Sequence, residues 1–275
     1  MLNLTYCFLR NLAYIGFRNL YDVVQPLKEE SSILPTIDRE SERDCSTQII
    51  IAALNEEPGI GQTLTELAEN LRTNRVIVVD GKSHDKTVEI AKNCGANIVF
   101  QDGIGKGDAI AKALEYTGSD VKYIVLTDAD YTYPAEYVPK MIEILARNPD
   151  VGMVCGNRFS QHVEATTLRG SFYFGNKLLA FAHNLLNGVD MHDPLTGLRA
   201  IRAEILRNTT LKSKGFDVEV ELNHCVERQG FKIVEVPITY RKRLGEKKLK
   251  LKHGATILKR ILLETTYSSL SGNLL

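Results

Sequence analysis

The chain has no surplus of either charge sign: 34 Lys and Arg stand against 34 Asp and Glu over 275 residues. A nucleic-acid partner would favour a basic surplus, so none is expected. The five cysteines (Cys7, Cys45, Cys94, Cys155 and Cys225) are odd in number, scattered and without a C-x-x-C pair. That fits reduced thiols in a cytosolic compartment better than a disulfide framework or a cysteine zinc site. None of the six histidines sits in H-E-x-x-H, and each reads as a surface or packing residue. No apolar run reaches the length of a membrane span, and no small-residue cleavage site follows the N-terminal apolar stretch. Two phosphate loops are missing as well. Gly103-Ile-Gly105-Lys106-Gly107 lacks the Ser or Thr of a P-loop, and the first predicted strand ends in Asn55-Glu56-Glu57 instead of G-x-G-x-x-G.

What is present is organised around Tyr123-Ile-Val-Leu-Thr-Asp128-Ala129-Asp130. The apolar run predicts a buried strand, and alternate side chains of an extended backbone share a face. Asp128 and Asp130 therefore converge at its C-terminal end, where open α/β sheets bind ligands. Two like charges this close favour a hard cation between them, Mg²⁺ or Mn²⁺.

Around this stretch strands and helices alternate. Gln48 to Leu54, Val76 to Asp80, Ala96 to Phe100 and Tyr123 to Thr127 predict strands. The spacing of Ile60, Leu64, Leu67 and Leu71, and the segments Val88–Cys94 and Ala109–Tyr116, predict helices between them. Ser83 and Asp85 are expected to cap the second helix. An α/β fold with a mostly parallel sheet flanked by helices follows. Further on come a strand from Val151, a long helix from Phe172 to Leu186, and an edge strand, Ile233 to Tyr240, marked by Pro237.

The divisions read as an amphipathic helix and linker over 1–46, a catalytic domain over 47–240, and a basic amphipathic tail over 241–275. Leu2, Tyr6, Leu9, Leu12, Ala13, Phe17, Leu20 and Val24 form one apolar arc at helical period, with Arg10 and Arg18 opposite. Such a helix lies in a membrane interface or packs on its own domain or a second subunit. In the tail, nine Lys and Arg between 241 and 260 face only Glu246, and Ile257, Leu258, Ile261 and Leu262 make one stripe. This suits peripheral attachment to an anionic cytoplasmic membrane face, or a helix packed on the catalytic domain.

Taken in order, Ala52-Ala-Leu54-Asn-Glu56, Val79-Asp80-Gly-Lys-Ser83-His-Asp85-Lys-Thr87, Gly105-Lys106-Gly107 and Asp128-Ala129-Asp130 resemble the successive motifs of family-2 glycosyltransferases of GT-A fold. The spacing is similar to that of the dolichyl-phosphate mannosyl- and glucosyltransferase branch, over residues 48 to 252. The resemblance implies that Ala52, Leu54 and Glu56 hold the nucleoside and Asp80 its base. Asp128, Ala129 and Asp130 would bind the donor diphosphate through the metal, with Lys106 approaching it. Gly81 stands where the family often has a second aspartate, and Thr132 where it has a glutamine metal ligand.

In the second half, Gly156-Asn-Arg158, Leu168-Arg169-Gly170, Asp193-Pro-Leu-Thr-Gly-Leu-Arg199 and Arg243-Leu-Gly-Glu-Lys-Lys248 look like the family's acceptor motifs. They imply that Arg158, Arg169, Arg243 and Lys248 converge on phosphate, and that Asp193 joins the catalytic carboxylates in a positioning role. Guanidinium forks suit a phosphate-monoester acceptor, which is ionised near neutral pH and needs no strong base. The implied activity is transfer of a hexose or N-acetylhexosamine from a nucleotide diphosphate sugar to a polyprenyl (dolichyl) phosphate, metal-dependent and inverting. The alternatives are a glycan or polysaccharide hydroxyl as acceptor and, more remotely, nucleotidyl transfer.

Overall fold

The computed structural model describes residues 46–159, 171–187 and 190–271. The N-terminal amphipathic helix, the linker up to residue 45 and Arg169 lie outside the described residues. A seven-stranded sheet is built from β1 (Thr47–Ala53), β2 (Val76–Asp80), β3 (Asn97–Phe100), β4 (Tyr123–Asp128), β5 (Val151–Asn157), β6 (Arg199–Arg202) and β7 (Lys232–Pro237), in the order β3-β2-β1-β4-β6-β5-β7. Helices α1 (Glu57–Asn70), α2 (Thr87–Asn93), α3 (Lys106–Leu114) and α4 (Val138–Arg147) follow β1, β2, β3 and β4. They are joined by α5 (Ser171–Asn187), α6 (Ala203–Arg207), α7 (Val218–Arg228) and α8 (Leu251–Ser271).

The period-two alternation of β1 divides the core. Ile49, Ile51 and Ala53 face a cluster containing Ile60, Leu64 and Leu67 of α1 and Val138, Met141 and Leu145 of α4. Ile50 turns to the opposite face, with Ala109, Ile110 and Ala113 of α3 and Val218, Leu222 and Val226 of α7. Each of these isoleucines, fully buried, is worth roughly 1.5–3 kcal/mol, so both layers are tied to one strand. Strand order reverses at β1: the chain steps outward through β2 and β3, then returns to pair β4 on β1's other side. Such a reversal opens a crevice at the strands' C-terminal ends. Register puts Asp128 opposite Ala52, and Asp80 opposite Ala53, at that edge.

The sheet is mostly parallel, as expected, with one antiparallel member. β6 runs antiparallel between β4 and β5, with Leu126 opposite Arg199 and Tyr123 opposite Arg202. The segment before it lies at the C-terminal edge, so the chain leaving that edge runs back down the sheet. The edge-strand expectation for the Pro237 segment holds: β7 pairs with β5 alone. Helix α3 begins a turn earlier than its apolar spacing predicts, at Lys106. Gly105 has φ +100°, and a Cβ on Gly107 would come within 2.2 Å of the Ser213 carbonyl oxygen. The glycines therefore let this loop dock on the chain at 213–215.

The expected stripe on α8 divides in two. Ile257 and Ile261 are buried with Val220 of α7, whereas Leu258 and Leu262 stay 41% and 48% exposed. Helix α7 is buried for most of its length and carries polar residues inward, including Glu219, Glu221, Asn223 and His224. Burial pushes the Glu227 carboxyl at its end up from 4.5 to about 7, against the opposing pull of Arg228. A raised acid pKa stabilises the fold through its bound proton below the unfolded value, and that contribution is lost as pH rises through the folded value. Glu227→Gln should therefore match the native protein near pH 4.5 and exceed it in stability at pH 8. Urea midpoints at the two pH values check this.

Candidate active site

The turn after β4 is gripped by the first half of α1. A Cβ on Gly59 would lie 2.8 Å from both the Ala129 carbonyl oxygen and the Asp130 Cα, so only glycine lets the helix press on this backbone. The Thr63 hydroxyl donates to the Ala129 carbonyl at 3.3 Å and accepts from the Tyr131 N–H at 3.1 Å. Tyr131 takes φ +65°, which reverses the chain sharply behind the carboxylates.

Two neighbouring loops are laced together beside this turn. Asp80, fully buried, accepts from the Ser83 N–H at 2.9 Å and from its hydroxyl at 2.5 Å. Ser83 Oγ in turn accepts from the Asn55 N–H at 2.8 Å. Ser83 is thus a loop brace and not the expected helix cap. Asp85 stays at the helix start, accepting from the Thr87 N–H at 3.0 Å, and also takes the Glu57 N–H at 3.1 Å. The loop engages both Asp80 oxygens, and Leu54 stands exposed at the rim.

Each aspartate of the pair faces a cation that also touches a second carboxylate. Lys106 Nζ lies 2.6 Å from Asp128 Oδ1 and 2.9 Å from Glu219 Oε1. Arg243 Nη1 lies 3.2 Å from Asp130 Oδ2, and Nη2 donates to Glu56 Oε1. Lys248 donates to the Asn55 carbonyl at 3.0 Å and stands 4.0 Å from Glu56. Thr132 donates to Asp130 Oδ1 from its N–H at 3.1 Å and from its hydroxyl at 2.6 Å, so the residue standing at the family's glutamine position braces the aspartate.

The charges follow from this wiring. Burial alone would raise Asp128, but the Lys106 ammonium outweighs it and holds the carboxyl below its usual range. Asp128 keeps 30% of its side chain open, and solvent tempers the shift. Burial and then the Asp128 charge raise Asp130. Burial also pushes Glu56 up to about 7, despite Arg243 and Lys248.

Asp128 and Asp130 are hard carboxylates within electrostatic reach of each other, and hard oxygen donors suit Mg²⁺ or Mn²⁺. These ions are commonly bound through one or two carboxylates plus phosphate and water. The chemistry of the pair therefore fits a divalent cation, with Lys106 and Arg243 as its competitors.

The second half adds a buried fork. Arg158 Nε and Nη2 donate to Asp193 Oδ2 and Oδ1, both at 2.7 Å, and the Arg158 N–H reaches Oδ2 at 3.1 Å. The Asp193 backbone N–H is itself held by Glu235 at 2.7 Å. The guanidinium lies 5.3 Å from the Tyr240 ring centroid. The Asp193 loop then returns to the aspartate pair: a Cβ on Gly197 would meet Asp128 Oδ2 at 2.7 Å, and its N–H donates to the Tyr133 hydroxyl at 2.7 Å. Arg199 fixes the loop from below, donating to the Pro194 and Thr196 carbonyls at 2.7 and 2.9 Å.

The predicted residues do not all gather as the motifs suggest. Arg243 and Lys248 sit on the donor-side carboxylates Glu56 and Asp130, and Lys106 sits between two carboxylates. Arg158 is paired with Asp193, yet its charge and that of Arg243 are both felt at Asp128. Glu219, Tyr133, Tyr240 and Lys247 were not singled out from the sequence. Two of them had a signal: Glu219 stands in Gly215-Phe-Asp-Val-Glu219-Val-Glu221, which resembles an acidic helix start of the family, and Lys247 lies within the Arg243–Lys248 motif.

Residues 48–210 match the family model described as glycosyl transferase family 2. The chain is 35% identical over 204 residues to a dolichyl-phosphate hexose transferase of Haloferax volcanii, covering 73% of this chain and 85% of that one. It is 33% identical over 192 residues to glycosyltransferase AglJ of the same organism, covering 70% of this chain but 62% of the relative. Among solved structures, glucosyl-3-phosphoglycerate synthase from Mycobacterium tuberculosis, in complex with Mn²⁺, UDP-glucose and phosphoglyceric acid, superposes with TM-score 0.64. The match covers 80% of each chain at 21% identity, a likeness of fold.

Proposed function

The chain belongs to glycosyl transferase family 2, and from that membership we propose that it moves a hexose or N-acetylhexosamine from a nucleotide diphosphate sugar to a polyprenyl (dolichyl) phosphate. The reaction is read as metal-dependent and inverting. An acceptor phosphate oxygen attacks the anomeric carbon, the bond from that carbon to the diphosphate oxygen breaks, and the nucleoside diphosphate leaves with the electron pair. A divalent cation at Asp128 and Asp130 would supply positive charge to the departing diphosphate. Asp193 orients the Arg158 fork and is not asked to take a proton, because the acceptor is already ionised.

The observation that carries the acceptor assignment is the field at Lys247. Its ammonium pKa is lowered by burial and then by the charges of Arg243 and Arg158. Arg158, held by Asp193, and Arg243, held by Glu56 and Asp130, both bear on Lys247 beside the acidic notch, and a phosphate monoester suits such a border of basic side chains better than a neutral hydroxyl does. The names of relatives such as the dolichyl-phosphate hexose transferase support the same class. A lipid phosphate also suits α8, whose exposed Leu258 and Leu262 flank Lys259 on a face fitted to an anionic membrane surface. None of the described helices is long and apolar enough to cross a membrane, and attachment is read as peripheral, on the cytoplasmic face.

Incubation with dolichyl phosphate and UDP-glucose, UDP-N-acetylglucosamine or GDP-mannose, followed by mass spectrometry of the lipid, identifies donor and acceptor together. Lys247→Met is the sharper probe than any change at Arg243, which also grips Glu56 and Asp130. It should raise KM for the lipid phosphate about tenfold or more and leave the nucleotide-sugar KM nearly unchanged. Full transfer to a glycan hydroxyl with none to the lipid phosphate would discard the acceptor assignment.

A further inference from the structure

The two aspartates share a wiring pattern that their own chemistry does not require. Lys106 bridges Asp128 and Glu219, and Arg243 bridges Asp130 and Glu56. In each bridge the outer glutamate is half used. Glu219 Oε2 and Glu56 Oε2 are buried without a hydrogen-bond partner. Glu221, two residues along α7, shows the contrast: it spends both oxygens on the Lys212 and Ser213 N–H groups at 2.8 and 2.7 Å. Glu221 is thus fully engaged in holding a loop, while Glu219 touches a cation and keeps an oxygen in reserve.

We infer that Glu219 and Glu56 are positioning residues, which keep Lys106 and Arg243 in the site when a divalent cation takes over Asp128 and Asp130. The inference rests on the metal-dependent reading above. A divalent cation at the pair repels both side chains from the aspartates. The Lys106 side chain is only 11% exposed, and an ammonium driven from its partner there would stand unpaired in a poorly solvated place, which is strongly unfavourable. Glu219 already holds that ammonium at 2.9 Å and has a free oxygen to accept a second of its protons. Metal entry then exchanges one ion pair for another instead of stranding a charge. Lys106 remains beside the diphosphate site, on the donor side, and Arg243 does so from the opposite wall.

The test is Mn²⁺ binding to the full chain without nucleotide, followed by electron paramagnetic resonance, in native protein, Glu219→Gln, Lys106→Met and the double variant. Glu219→Gln should weaken Mn²⁺ binding about tenfold or more when Lys106 is present, and less than about threefold when it is methionine. A merely structural glutamate, or one attracting the ion by its own charge, would give equal losses in both backgrounds, and that result overturns the inference. If the glutamine variant fails to fold, Glu219→Asp in both Lys106 backgrounds carries the same comparison. Asp130→Asn separates the two levels: loss of the Mn²⁺ signal there, with equal losses at Glu219, removes only this inference. A native signal that is absent, or indifferent to Asp130→Asn, removes the metal-dependent reading along with it.

Discussion

Asp130→Asn is expected to lower kcat by about three orders of magnitude or more, the scale on which lost transition-state charge stabilisation is felt, even in millimolar Mn²⁺ or Mg²⁺. The amide keeps the shape of the carboxylate but presents one neutral acceptor and one N–H donor. Its carbonyl can still accept from Thr132, which donates to Asp130 Oδ1 at 2.6 Å. The amide nitrogen then faces Arg243, now 3.2 Å from Oδ2, and neither orientation serves a cation. Stability should move the other way. The folded protein disfavours the Asp130 charge, through burial and then through Asp128, so neutralising it removes a repulsion at the expense of one ion pair. The expected pattern is a melting temperature held or raised while transfer collapses, as when a site is built against stability. Initial rates across a metal titration, paired with thermal melts, check both halves. Full activity in excess metal would remove Asp130 from the cation site.

The parts legible in the sequence are those with one dominant physical signal. β1, β2 and β4 are β-branched runs buried on both faces, and a run of that kind has few other destinies. The carboxylate pair was legible for the same reason, because an apolar strand delivers it to the sheet edge. β6 was not, since Arg199-Ala-Ile-Arg202 offers no apolar run. It is a strand because the neighbouring β4 and β5 pair with it on both sides, which is tertiary information. Gly105 and Gly107 were legible as a loop but not as a docking surface, since their meaning lies in the carbonyls of Ser213 and Lys214, more than a hundred positions away.

Charge was the hardest property to place. Glu219 and Glu221, two apart at an acidic helix start, carry no sign of burial in their spacing, and it is the packing of α7 between the sheet and α8 that buries both. Arg243 reads as a phosphate ligand from its motif, while in the structure it neutralises Glu56 and Asp130. Residue type restricts an arginine to partners that are anionic. Which anion it meets depends on distances that spacing along the chain does not encode.

Removing the anion from the buried fork should have the largest effect on stability. Arg158 and Asp193 are 8% and 1% exposed at their side chains and joined by two N–H···O bonds at 2.7 Å. Asp193→Ala leaves the guanidinium buried with no carboxylate opposite, a change that costs about 3–5 kcal/mol. For a domain of this size each kcal/mol lowers Tm by about 2–4 °C, so a fall of roughly 10 °C is expected. The fork would also swing from its place over the Tyr240 ring, and transfer should fail with it. Adding Arg158→Met should recover part of the lost stability, because it removes the stranded charge. The remainder reflects the smaller packed volume and the Arg158 N–H that Asp193 no longer accepts. It should recover none of the transfer, since the cation proposed to face the acceptor is gone. Stability and activity thus part company in the double variant, and calorimetry beside an activity assay reads both. If Asp193→Ala melted with the native protein, or the second change only deepened the loss, the pair would be a bystander and Arg158 would need another anchor.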